Sequence, residues 1–101
     1  MTITKEKNAD VLTVTIEGNL DINTAPKLTE ALNGELDDVN QVIFDLEKTD
    51  YTSSAGLRVI LGAYQVLDKK EGKMLLKNVH DSFYDILQMS GFTDFLDIER
   101  S

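Results

Sequence analysis

The chain has 101 residues, of which 18 are acidic and 10 basic, giving a formal net charge of −8. It contains no cysteine, which excludes disulfides, thiolate metal sites and cysteine nucleophiles, and its acidity opposes nucleic-acid and anionic-membrane binding, both of which need a basic footprint. With 42% hydrophobic and 28% charged residues it reads as one ordinary globular domain, residues 1–101, with a modest core.

The opening segment, Met1 to Lys7, lacks the apolar centre of a signal peptide, and no run approaches a membrane span, so a cytoplasmic protein without membrane insertion is expected. Ile3 among threonines predicts a short first strand, joined by a hairpin turn at Asn8-Ala9-Asp10 to a second. In that second strand Leu12, Val14 and Ile16 alternate with Thr13, Thr15 and Glu17. Thr24 is expected to cap a helix with Pro26 in its first turn and Ala25, Leu28, Leu32 and Leu36 on one face. The run Val42-Ile43-Phe44, with Leu46, predicts a central strand covered on both faces.

Leu57, Ile60, Leu61, Tyr64 and Leu67 recur at helical spacing, and Gly72 ends that helix after Lys69-Lys70. Met74-Leu75-Leu76 predicts a short buried strand. Asp81 or Ser82 is expected to cap a third helix with Phe83, Ile86, Leu87 and Ser90 on one face, stopped by Gly91. Phe95, Leu96 and Ile98 predict a last strand, and both Met74 and Met89 are expected in the core. The order β-β-α-β-α-β-α-β implies an α/β fold: a mixed sheet of about five strands, with three to four packed helices. Its opening hairpin is antiparallel and its later strands are parallel, with right-handed crossovers.

One stretch carries chemistry. Thr52-Ser53-Ser54-Ala55-Gly56-Leu57-Arg58 sits where a strand-like run passes through a loop into a helix. The hydroxyls of Ser53 and Ser54 therefore fall beside the unpaired amides and positive dipole end of a helix start, a natural place for an anion or an added phosphate. An ordinary N-cap serine also fits this position. Asp21 follows the second strand, either as a partner-contacting residue or as a turn and capping aspartate. Arg58 falls in the first helical turn, where the dipole disfavours a cation, and reads as a solvated side chain or a contact to a partner. Tyr51 and Thr52 are expected to pack against the base of the loop.

Other chemistry lacks its constellation. His80 is the only histidine, and without a Gly-x-Ser-x-Gly elbow a hydrolase triad with Ser54 has no support. No phosphate-binding glycine loop and no spaced metal ligands are present, so neither a cofactor nor a metal is expected. The carboxylates of Asp37, Asp38 and Glu47 read as solvated.

Asp45-Leu46, then seven intervening residues, then Ser54-Ala55-Gly56-Leu57, followed by Val59-Ile60-Leu61-Gly62, resembles the signature of the STAS-domain anti-sigma factor antagonists of bacterial partner-switching systems. Gly18-Asn19-Leu20-Asp21 resembles the Gly-Glu-Leu-Asp that ends the family's second strand, and Met89-Ser90-Gly91-Phe92 resembles the Ser-Gly-Phe closing its third helix. The resemblance implies the STAS fold and a non-enzymatic binding module switched by serine phosphorylation. Its partners would be an anti-sigma factor serine kinase and, for reactivation, a serine phosphatase of the protein phosphatase 2C type.

By the same resemblance Ser54 is the phosphate acceptor, with Ser53 as the alternative. Asp21, Thr52, Ser53, Ser54, Ala55, Gly56, Leu57 and Arg58 form the partner-binding set. Ser53 stands where the family usually carries aspartate, which leaves open a non-switching scaffold or accessory subunit of a transport or sensory complex. A receiver domain is disfavoured because no adjacent acidic pair precedes Asp45. No coiled-coil seam or surplus apolar helix face is evident, so a monomer is expected.

Overall fold

A computed structural model describes residues 1–101. Strand β1 (Thr2–Asn8) turns at Ala9 and Asp10 into β2 (Val11–Glu17), with Ile3 opposite Ile16 and Asn8 opposite Val11. Three strand–helix alternations follow: α1 (Ala25–Leu32), β3 (Gln41–Lys48), α2 (Ser54–Lys69), β4 (Lys73–Val79), α3 (Asp81–Met89) and β5 (Asp97–Arg100). The five strands lie in the order β1-β2-β3-β4-β5, with β1 and β2 antiparallel and the rest parallel.

That order decides where the core lies. Each parallel crossover steps to the next strand in the same direction, so right-handed connections place every helix on one face of the sheet. Burial follows this rule. Leu12, Val14 and Ile16 of β2, Val42, Phe44 and Leu46 of β3, and Met74 and Leu76 of β4 are buried, and their neighbours along each strand are only half-buried or exposed. The ladder aligns Val14, Phe44, Leu76 and Ile98 across four strands. Leu28 and Leu32, Leu57, Ile60 and Leu67, and Phe83 and Leu87 pack onto that face from the three helices. The expectation that β3 is covered on both faces is thus corrected. Ile43 lies on the uncovered face, flanked by Thr13 and Leu75, and is only half-buried.

Several element ends also differ from the sequence pattern. Helix α1 stops at Leu32, and Leu36 reaches the core from the irregular segment that follows. His80, rather than Asp81 or Ser82, is the N-cap of α3. Met74 is buried, but Met89 is 86% exposed, because the helix turns its last residue away from the sheet. Phe92–Asp94 form a 3-10 turn, so the last strand begins only at Asp97; Phe95 instead packs its ring 5.1 Å from that of Tyr64. No helix is long and apolar enough to cross a membrane.

Candidate functional site

The site grows from the C-terminal ends of β2 and β3, which continue side by side past the regular sheet. The Gly18 amide donates to the Lys48 carbonyl at 2.9 Å, and the Thr49 hydroxyl, fully buried, donates to the Ile16 carbonyl at 2.7 Å. Further out, Leu20 and Thr52 form an isolated parallel bridge: the Leu20 amide donates to Tyr51 O at 3.0 Å, and the Ser53 amide to Leu20 O at 2.9 Å. Both Leu20 and Thr52 are buried. The bridge brings Asp21 beside the serine loop, uniting two segments about thirty residues apart in the chain.

Gly56 lets α2 settle onto that bridge. A Cβ at this position would lie 2.3 Å from the Thr52 Oγ1 and 2.6 Å from the Leu20 Cγ, so only glycine fits without displacing both. Leu57 is buried beside it and anchors the first turn in the core. The loop is therefore pinned from both sides, and the serines occupy defined positions.

Ser53 and Ser54 have different environments. Ser53 is the N-cap of α2, with extended backbone (φ −105°, ψ 177°), but its side chain makes no capping bond. Its Oγ is buried and has no hydrogen-bond partner. Ser54 is the first helical residue and is exposed. The first backbone bond at this end runs from the Leu57 amide to Ser53 O at 3.1 Å, so the amides of Ser54, Ala55 and Gly56 are left without acceptors. The first turn contains no acidic residue. Arg58 is exposed and forms no ion pair.

Asp21 holds the turn that leads into α1. Its Oδ1 accepts from the amides of Asn23 at 2.9 Å and Thr24 at 3.1 Å, and its carbonyl accepts from the Ala25 amide at 2.8 Å. Thr24 occupies the N-cap position of α1, as expected, but its side chain makes no capping bond. Its hydroxyl points back, accepting from the Asp21 amide at 2.9 Å and donating to Asn19 O at 2.8 Å. The aspartate carboxylate, which only accepts, takes the turn amides. Tyr51 departs from expectation too: Thr52 packs into the base of the loop, whereas Tyr51 is 48% exposed. Glu47 and Asp37 are exposed as expected, as is Asp38, which pairs with Lys7. The ring of His80 meets the Glu47 carbonyl through Nε2 and lies 3.2 Å from the Ser101 hydroxyl through Nδ1.

Sequence reasoning missed one part of this surface. Ile22, directly after Asp21, is 74% exposed, and it opens onto a groove of about 1100 Å³ between α1 and α2. Ala55, Val59, Gly62 and Val66 line the α2 side. Their spacing of four, three and four residues was readable as a second stripe on α2, beside the core stripe through Leu57 and Ile60. The absence of a surplus apolar helix face is thereby corrected.

The STAS domain family matches residues 2–101. An anti-sigma-B factor antagonist of Listeria monocytogenes is 31% identical over 95% of this chain and 85% of its own length. In three dimensions, the phosphorylated form of the Bacillus cell fate determinant SpoIIAA superposes with a TM-score of 0.76 at 17% identity, covering 99% of this chain and 93% of that one. An anti-sigma factor antagonist from Mycobacterium paratuberculosis gives a TM-score of 0.83 at 22% identity, covering 99% and 86%. The chain belongs to the STAS domain family, among the anti-sigma factor antagonists.

Proposed function

We propose that this protein is a phospho-switched anti-sigma factor antagonist. The unmodified chain binds an anti-sigma factor serine kinase and frees a sigma factor. Transfer of the ATP γ-phosphoryl group to the Ser54 Oγ, with loss of the hydroxyl proton, ends the contact. A serine phosphatase of the protein phosphatase 2C type restores it by hydrolysis. The observation that carries the reading is the contrast between the serines: Ser54 is exposed over a helix start with three unpartnered amides, whereas the Ser53 hydroxyl is buried. That contrast supports Ser54 over Ser53 as the acceptor. The partner surface comprises Ser54, Ala55 and Arg58, with Asp21 positioned beside them by the Leu20–Thr52 bridge, while the buried Thr52, Gly56 and Leu57 and the half-buried Ser53 hold that surface in place rather than face a partner.

A phosphoserine carries about −1.5 to −2 charges at neutral pH. At the start of α2 that charge meets the positive end of the dipole and free amides, a local gain of about 0.3–1 kcal/mol. The fold should therefore survive modification, and the effect falls on the interface. Burying a doubly charged group against a partner that fits the neutral serine introduces desolvation and like-charge costs. About 3–4 kcal/mol of such cost would weaken binding several hundred-fold, since about 1.4 kcal/mol is tenfold.

The test is capture of partners from the native host with the parent protein and with Ser54→Ala, followed by phosphosite mass spectrometry. Recovery of a serine kinase, and ATP-dependent phosphate on Ser54 that disappears in Ser54→Ala, is the expected result. A stable assembly with transport or sensory proteins and two unmodified serines would replace the switch with a scaffold role.

A further inference from the structure

Gly56 and Gly62 both lie inside α2, six residues apart, and the fold needs only one of them. Gly56 is forced by Leu20 and Thr52. At Gly62 a Cβ would meet nothing within 4 Å, and the residue does not have positive φ. Glycine in a helix interior costs about 1 kcal/mol relative to alanine, and nothing within this chain explains the cost. Gly62 is exposed on the α2 wall of the α1–α2 groove, where it allows another backbone to approach closely.

From this we infer that the α1–α2 groove is the seat of an amphipathic helix of the anti-sigma factor. The inference rests on the anti-sigma factor reading above. Three observations select that occupant. Ala55, Val59, Gly62 and Val66 follow the spacing at which one helix packs its ridge against another, and the α1 side supplies a second wall. The groove is continuous with the Ser54 surface, because Ala55 and Arg58 belong to both. Its charged lining is two acids, Glu30 and Asp37, against the single Arg58, which suits a helix carrying lysine or arginine beside its apolar face. A second copy of this chain is a poorer occupant, since it would bring two surfaces of net charge −8 together. Ile22, exposed at the mouth of the groove, would close over the seated helix. The groove thus supplies the apolar affinity, and the adjoining Ser54 supplies the switch.

The absence of native cysteine makes the test clean. Gly62→Cys introduces a single thiol on the α2 wall of the groove, and Met89→Cys, at an 86% exposed position on α3, serves as the control. Each is measured before and after attachment of fluorescein maleimide, against the purified kinase captured by the parent protein, with a circular-dichroism melt confirming the fold. Unlabelled Gly62→Cys is expected to bind more weakly than the parent, because its side chain already obstructs the close approach, and its adduct at least about 30-fold more weakly, with Met89→Cys and its adduct both unchanged. Hydrogen exchange on the kinase should show one helix protected by the parent and not by the Gly62 adduct.

A Gly62 adduct that binds like the parent overturns the groove, and if phosphorylated Ser54 still weakens binding in that protein, the switch reading stands. If phosphorylation has no effect but the adduct does, the groove stands without the switch. Protection confined to kinase loops overturns the helical occupant. A parent that sediments as a dimer and separates on labelling assigns the groove to a second copy instead.

Discussion

Two helix starts lie side by side at the C-terminal ends of the parallel strands, and only one is closed. Before α1, Asp21 takes the turn amides of Asn23 and Thr24 on its carboxylate, and Thr24 ties the turn back to Asn19. Before α2, the Ser53 hydroxyl is buried without a partner, and the amides of Ser54, Ala55 and Gly56 have no acceptor. Both starts hang from the same Leu20–Thr52 bridge, so a loose backbone does not account for the difference. Orphan amides arise at every helix start. Here one set is satisfied internally, and the other is held rigidly available beside an exposed serine. A rigid frame with one open end is compatible with the proposed modification of Ser54 in place, without unfolding.

The frame is the first thing to break. Gly56→Val drives a side chain into Thr52 and Leu20, and a loss of about 3 kcal/mol is expected by urea unfolding, in line with overpacking of a well-filled core. A variant as stable as the parent would mean that the bridge does not pin α2. Next comes the comparison itself. Asp21→Ala should cost about 1 kcal/mol, as loss of a cap does, whereas Ser53→Ala should be neutral or stabilising by up to about 1 kcal/mol, since it removes a buried hydroxyl without a partner. Thermal melts that ranked the two the other way round would abolish the asymmetry between the two helix starts.

The smallest effect is expected at the opposite end of the sheet, and it marks how local the site is. A hydrogen bond from Lys7 holds the Asp38 carboxyl below its ordinary value of 3.8. A carboxyl depressed in the folded state adds stability above its unfolded pKa and loses it as pH falls through the folded value. In Lys7→Met the stability curve should therefore fall less steeply below about pH 4, by a small amount because the pair is exposed. Partner binding at pH 7 should not change. Altered binding would show that charge at the far end reaches the Ser54 surface.

Much of this was legible beforehand for identifiable reasons. The alternation of Leu12, Val14 and Ile16, the helical spacing of Leu57, Ile60 and Leu67, and the stop at Gly72 are local patterns that tertiary contacts reinforced. Errors arose where the deciding contact was distant. Ile43 looked like the heart of a doubly covered strand because an apolar run does not reveal on which face the helices fall. Thr24 stands at the N-cap as expected, but nothing nearby in the sequence shows that Asp21 takes the turn amides in place of its hydroxyl. Met89 looked like core because its exposure depends on where α3 ends relative to the sheet.

The sequence by itself determined the order of elements, the α/β class, the serine loop at the start of α2 and the resemblance that identifies the family, since all four depend on short-range spacing and residue type. Only the tertiary structure decided which serine is accessible, that Asp21 takes the turn amides before α1, and that α1 and α2 leave a groove lined by Gly62. These depend on the single direction in which the crossovers step and on the approach of Leu20 to Thr52 across the sheet edge. Local spacing encodes neither, because each is a distance between segments that the chain itself does not place side by side.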